Sequence, residues 1–118
     1  GGIFGVALYP YKVSTYSSVP QAEMRGTLRD VTRAIRYVRK IISTVKDLPD
    51  DKPPHKFIGI GSDFGGYIPR PSDIRNLGDI DQFRQYMCDE FVDEKEIVDD
   101  IMANNVIDFM LKNWESGI

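Results

Sequence analysis

The sequence predicts an α/β fold with parallel strands, and three observations carry that prediction. Two short apolar runs, residues 3–9 and 57–60, read as strands without polar–apolar alternation. Between them, residues 27–46 repeat apolar side chains at helical spacing. Only helical patterns follow the second run. The order is therefore β, α, β and then helices, which implies parallel strands joined by a right-handed crossover. Each run reads as covered on both faces, and two strands alone do not complete such a sheet. The chain is expected to be a portion of a larger α/β domain, one that ends with its last strand and closing helices.

The first run holds Ile3, Phe4, Val6, Ala7, Leu8 and Tyr9, and Pro10 stops it. Residues 11–26 are rich in Ser, Tyr and Pro and lack a period, which is long for a connection between strand and helix. Tyr9, Tyr11 and Tyr16 either line a pocket there or half-bury with wet hydroxyls. The helix opens at Thr27, with Asp30 as the acidic partner of a capping-box-like start. Val31, Ala34, Ile35, Val38, Ile41, Ile42 and Val45 make its apolar face. Arg29, Arg33, Arg36, Arg39 and Lys40 take the other positions and read as a solvated face rather than a nucleic-acid footprint. Leu48 and Pro49 close the region, and a polar linker over residues 50–54 leads into the second run.

That second run is the centre of the chain. Phe57, Ile58 and Ile60 form a β-favouring core, and glycines at 59, 61, 65 and 66 admit close approach by another backbone or a ligand. Asp63 stands just past its end, where α/β barrels and open sheets place their chemistry. An Asp in that setting equally serves as a turn or helix cap. Tyr67 and Arg70 follow on the same loop and are candidates to meet a substrate. Pro69 and Pro71 keep that segment extended. A helix is expected from Asp79, carrying Ile80, Phe83, Tyr86 and Met87. Asp93 and Glu96 look like the capping box of another helix, with Ile97, Val98, Ile101 and Met102 on its apolar face. Val106, Ile107, Phe109, Met110, Leu111 and Trp114 extend it or form a further helix.

Composition narrows the classes. The chain has 118 residues, 15 basic and 18 acidic, for a net charge of −3. It is one domain at most, with no basic footprint for nucleic acid and no polybasic membrane patch. No apolar run reaches the length of a membrane span. The single Cys88 rules out an internal disulfide. The chain opens on Gly1 rather than Met, so an internal or processed piece is expected. Ser62 has no Gly-x-Ser-x-Gly setting and no histidine placed to activate it. Gly59-x-Gly61 lacks the third glycine of a dinucleotide fingerprint. Asp93, Glu94, Glu96, Asp99 and Asp100 lack the spacing of a calcium loop and read as a helix start with a solvated face. His55 reads as a solvated turn residue at the start of the strand.

Two stretches together resemble a known family. Gly1-Gly2-Ile3-Phe4-Gly5-Val6-Ala7-Leu8-Tyr9, followed by Phe57-Ile58-Gly59-Ile60-Gly61-Ser62-Asp63-Phe64, looks like the C-terminal part of the membrane (renal) dipeptidase family. Asn105-Val106-Ile107-Asp108-Phe109 and Trp114 resemble the closing helices of that family. The resemblance spans essentially all 118 residues. It implies the last two βα units, strands seven and eight plus closing helices, of a metal-dependent amidohydrolase-like TIM (β/α)8 barrel, incomplete as given. The implied activity is that of a zinc-dependent dipeptidase, with paired ions polarising the scissile carbonyl and generating the hydroxide. Asp63 would be the acid/base at the metal-bound water and leaving amine. The metal ligands of the family come from earlier strands and so from polypeptide upstream of Gly1. The implied partners are that remainder of the barrel and a dipeptide substrate, with a homodimer of the parent also open. Two departures stand out: Gly65 where an Asp is usual, and Ala34 where many relatives have a His. They motivate an alternative reading, a catalytically inactive or divergent barrel homologue that binds or supports. A third reading is an independent small α/β binding module.

Overall fold

A computed structural model describes residues 2–8, 26–62 and 71–114. The long Ser- and Tyr-rich stretch with Tyr9, Tyr11 and Tyr16 lies outside those residues, as do Asp63, Gly65, Tyr67 and Arg70.

Two strands, β1 (Phe4–Ala7) and β2 (Ile58–Gly61), pair in parallel. Their register sets Phe4 beside Ile58 and Val6 beside Ile60 on one face, with Gly5 beside Gly59 and Ala7 beside Gly61 on the other. The connection between them contains α1 (Leu28–Ser43). After β2 come α2 (Ile80–Glu90), α3 (Lys95–Asp99) and α4 (Asn105–Trp114). This is the β, α, β, helices order expected, with shorter elements than the apolar runs suggested.

The start of α1 follows its sequence. Thr27 is extended, and its N–H donates to Asp30 Oδ2 at 2.8 Å, which ties the first turn. The helix ends at Ser43, three residues before the expected limit. Ser43 Oγ donates to Lys40 O at 2.6 Å and Thr44 Oγ1 to Ile41 O at 2.7 Å, so hydroxyls take carbonyls the next turn needs. Leu28, Val31, Thr32 and Ile35 are buried, while Ile41 and Val45 are about half exposed.

The core forms on the Val6/Ile58 face of the sheet. Val6, Leu8 and Ile58 meet Leu28, Val31 and Ile35 of α1, and Ile74, Phe83, Met87, Phe91, Ile97, Val98 and Ile101 complete the cluster. Phe83, Met87, Ile58 and Ile101 expose nothing. Helices cover this face as expected. On the glycine face, among the described residues, Val106 of α4 and Ile3 meet Gly59, and no described atom lies within 4 Å of a Cβ built on Gly5 or Gly61. The outward side of α4 carries Ile107, Met110, Leu111 and Trp114, all substantially exposed.

Residues 95–114 form one rod with a π turn at Asp100–Asn104 between α3 and α4. The N–H of Asn105 donates to Asp100 O, five residues back rather than four. The rod starts at Glu94 and not at Asp93 as the capping-box pattern suggested. Arg39 grips the Glu94 carboxylate with two bonds, at 3.0 and 3.2 Å, and Asp93 is left exposed.

Candidate functional site

The two strands end together. Leu8 N–H, just past β1, donates to Gly61 O at 3.3 Å, so both chain segments leave the sheet at the same end. The last turns of α1 lie at the other end, where Ile42 and Val45 share an apolar depression with Ile3, Phe4 and Phe57. The helix therefore runs against the strands, and its N-terminus belongs to the end from which Leu8 and Ser62 depart.

The segment that resumes at Pro71 returns to that N-terminus. Ser72 N–H donates to Gly26 O at 2.9 Å, and Leu28 N–H donates to Asp73 Oδ1 at 2.9 Å. Ile74 anchors the strap in the core with 1% exposure. Asp73 thus satisfies one of the orphan amides of α1 from a distant part of the chain. The stretch containing Asp63, Tyr67 and Arg70 runs between Ser62 and Pro71 in the sequence. Its two flanks are tied to the end of β1 and to the start of α1. The three residues themselves fall outside the described ones.

The opposite end of the sheet holds a polar cluster. His55 lies in a 3-10 turn, Pro54–Phe57, that leads into β2. It is not a solvated turn residue as its sequence position suggested: it is 8% exposed. Its Nε2 stands 3.1 Å from Asp100 Oδ2, which also accepts from Lys56 Nζ at 2.7 Å. Burial pushes the Asp100 carboxyl up, and bonds from Lys56, His55 and Asn104 outweigh it, holding the group below the ordinary aspartate value. Asn105, 4% exposed, donates through Nδ2 to His55 O at 2.7 Å and to Ile58 O at 2.8 Å. Its Oδ1 is buried with no hydrogen-bond partner. The π turn brings Asp100 and Asn105 onto the start of β2 together.

Electrostatics elsewhere are pairwise. Arg36 donates to the Glu90 side chain at 3.0 Å and to Glu90 O at 2.7 Å, with its guanidinium over the Phe91 ring. Arg39 binds Glu94, and Arg84 binds Asp99. The basic face of α1 is solvated as expected, and two of its members also act as cross-braces, Arg36 to Glu90 at the end of α2 and Arg39 to Glu94 beyond it. Of the acidic residues, Glu94 pairs with Arg39, Asp99 with Arg84 and Asp100 with the His55 cluster. Position in sequence hides both facts, since the partners of α1 lie some fifty residues away.

Among the described residues no group of three or more His, Cys, Asp and Glu side chains is arranged to hold a metal ion. His55 and Asp100 stand together, and the Asp100 oxygen that faces His55 is already paired with the Lys56 ammonium. These residues do not fit a zinc centre. Among the described residues no helix is long and apolar enough to cross a membrane.

The described residues define an α/β unit with a parallel strand pair, most of its helices packed on the Val6/Ile58 face and α4 reaching the glycine face at Gly59. No family model, curated protein or solved structure matches the chain.

Proposed function

We propose that the chain is the C-terminal portion, strands seven and eight with closing helices, of a zinc-dependent dipeptidase-like barrel. The parallel pairing of β1 and β2, with both strands ending at one edge, carries the reading. A parallel pair whose glycine face is thinly covered by the described residues, with an outward apolar stripe on α4, is what a larger α/β domain covers. In that domain Asp63, next after Ser62, is the acid/base of peptide-bond hydrolysis, and Tyr67 and Arg70 contact the substrate. The zinc ligands belong to polypeptide upstream of Gly1.

The test uses the parent chain with its upstream polypeptide and added zinc. Dipeptide hydrolysis is expected, with a loss of about 10²–10⁴-fold in turnover for Asp63→Asn. Unchanged turnover in the variant removes Asp63 from the mechanism. A parent that hydrolyses no dipeptide favours the second reading, a divergent barrel that binds or supports, to which Gly65 and Ala34 point.

A further inference from the structure

We infer that the cavity between the start of β1, the linker before β2 and α4 is a binding site for a small zwitterion of the amino-acid kind, held through the buried Asn105 amide. The inference rests on the described residues and stands apart from the hydrolase reading above.

The cavity encloses about 560 Å³, within the range of small-molecule sites. Asn105 lines it, and Asp108 and Lys112 continue the same face of α4. Asp51 and Lys52 line it from the linker, and Ile3 and Phe109 give it an apolar surface. Asn105 is 4% exposed. Both hydrogens of its amide go to the carbonyls of His55 and Ile58, neither of which lines the cavity. The nitrogen is thus turned to β2, and the oxygen is what the amide offers on the cavity side. That oxygen has no hydrogen-bond partner among the described residues. A buried acceptor left bare is costly, so an occupant that fits brings an N–H or O–H donor.

Charge at the rim selects the donor. The Lys56 ammonium is engaged by Asp100, and Lys52 stands over the Phe57 ring, 4.3 Å from its centroid. Asp51, Asp108 and Lys112 form no ion pair among the described residues. Lys52 and Lys112 are therefore set against Asp51 and Asp108, cations matched by carboxylates. An anion alone leaves the carboxylates facing it, and a cation alone leaves the lysines. A zwitterion meets both: its ammonium reaches Asp108 and Asn105 Oδ1, its carboxylate a lysine, and an aliphatic side chain Ile3 and Phe109.

The test follows the nuclear magnetic resonance of the Asn105 side-chain amide in the parent, isotope-labelled at asparagine nitrogen. L-Leucine is expected to move it saturably. N-acetyl-leucine, which lacks the ammonium, and leucine amide, which lacks the carboxylate, should each bind at least about tenfold more weakly. Asp108→Asn and Lys112→Met, both at exposed positions, should weaken leucine binding to a similar degree. A resonance that leucine leaves in place overturns the inference. So do analogues that bind as well as leucine, or variants that bind it unchanged. A response from the 118-residue chain with none from the parent overturns it too, because upstream polypeptide then fills the cavity. None of these readouts needs zinc or turnover, so a parent without dipeptidase activity still decides.

Discussion

Asp73 Oδ1 accepts a hydrogen bond from the amide of Leu28, 2.9 Å away and 45 positions earlier in the chain. The first turn of α1 is therefore held by two carboxylates, Asp30 from within and Asp73 from outside. Asp73→Ala is expected to destabilise the fold by about 1 kcal/mol, the usual effect of losing a helix cap. Asp73→Asn, which keeps an acceptor, should lose much less. Chemical denaturation of the three proteins checks the order.

Asn105 serves two carbonyls, His55 O, which also accepts from the Ile58 N–H, and Ile58 O. Asn105→Ala leaves both without that partner and opens a small void, for an expected loss of about 2–4 kcal/mol. Asn105→Asp is the sharper variant, since near neutral pH it sets a carboxylate against two main-chain oxygens. It should fall below Asn105→Ala in denaturant midpoint; the reverse order would mean the carbonyls are not held by this amide.

Gly59 lies under α4. A Cβ built there sits 2.6 Å from Val106 Cγ2 and 3.2 Å from Ile3 Cδ1. Gly59→Ala is expected to destabilise by about 1–3 kcal/mol through overpacking. Adding Val106→Ala should return part of that loss, a positive coupling in a double-mutant cycle. Gly61→Ala is the control, because nothing described lies within 4 Å of its added methyl.

Acid should loosen the end of the sheet where His55 lies. The Asp100 carboxyl is held below its ordinary value of 3.8 in the folded chain. Its ionised form is thus favoured by folding, and that contribution is complete above the ordinary value. It is lost as pH falls below 3.8 toward the depressed folded value. Asp100→Asn should flatten the pH dependence of stability in that window while lowering stability at neutral pH. Lys56→Met, which removes the ammonium at 2.7 Å, should flatten it in part. Denaturant midpoints taken between about pH 7 and pH 3 measure both effects.

The elements are readable from periodicity, and their contacts are not. The α1 apolar repeat and the Thr27–Asp30 start give a helix almost where it lies, because both signals are local. Its early end comes from Ser43 and Thr44, whose hydroxyls compete for backbone carbonyls in a way no apolar pattern reveals. The two strands are visible as unbroken apolar runs, and the glycines at 5, 59 and 61 explain why one face is so thin. His55 reads as solvated because its partner, Asp100, is 45 residues away and hidden in an acidic stretch. Asn105 stands out in the sequence only through a family resemblance. The signal that its own residues offer is a lone amide opening an otherwise apolar helical run. Capping-box spacing favours Asp93 over Glu94 as the helix start because it cannot show that Arg39 reaches across to Glu94. For the candidate site, residue order alone locates Asp63 just after β2, and the strap from Ser72 to Asp73 shows where that stretch of chain comes back.

The π turn gives the last rod a fixed phase. Its bond from Asn105 N–H to Asp100 O absorbs one residue more than an α-helical turn would. Deleting a single residue from Met102, Ala103 or Asn104 would restore regular winding with little change of phase, so the amide at 105 would keep its bearing on β2. Inserting one has no such slack and would swing everything beyond it by about 100°, turning Asn105 and the Ile107–Trp114 stripe to a new bearing. Insertions in this short stretch should therefore be far more disruptive than deletions or substitutions there.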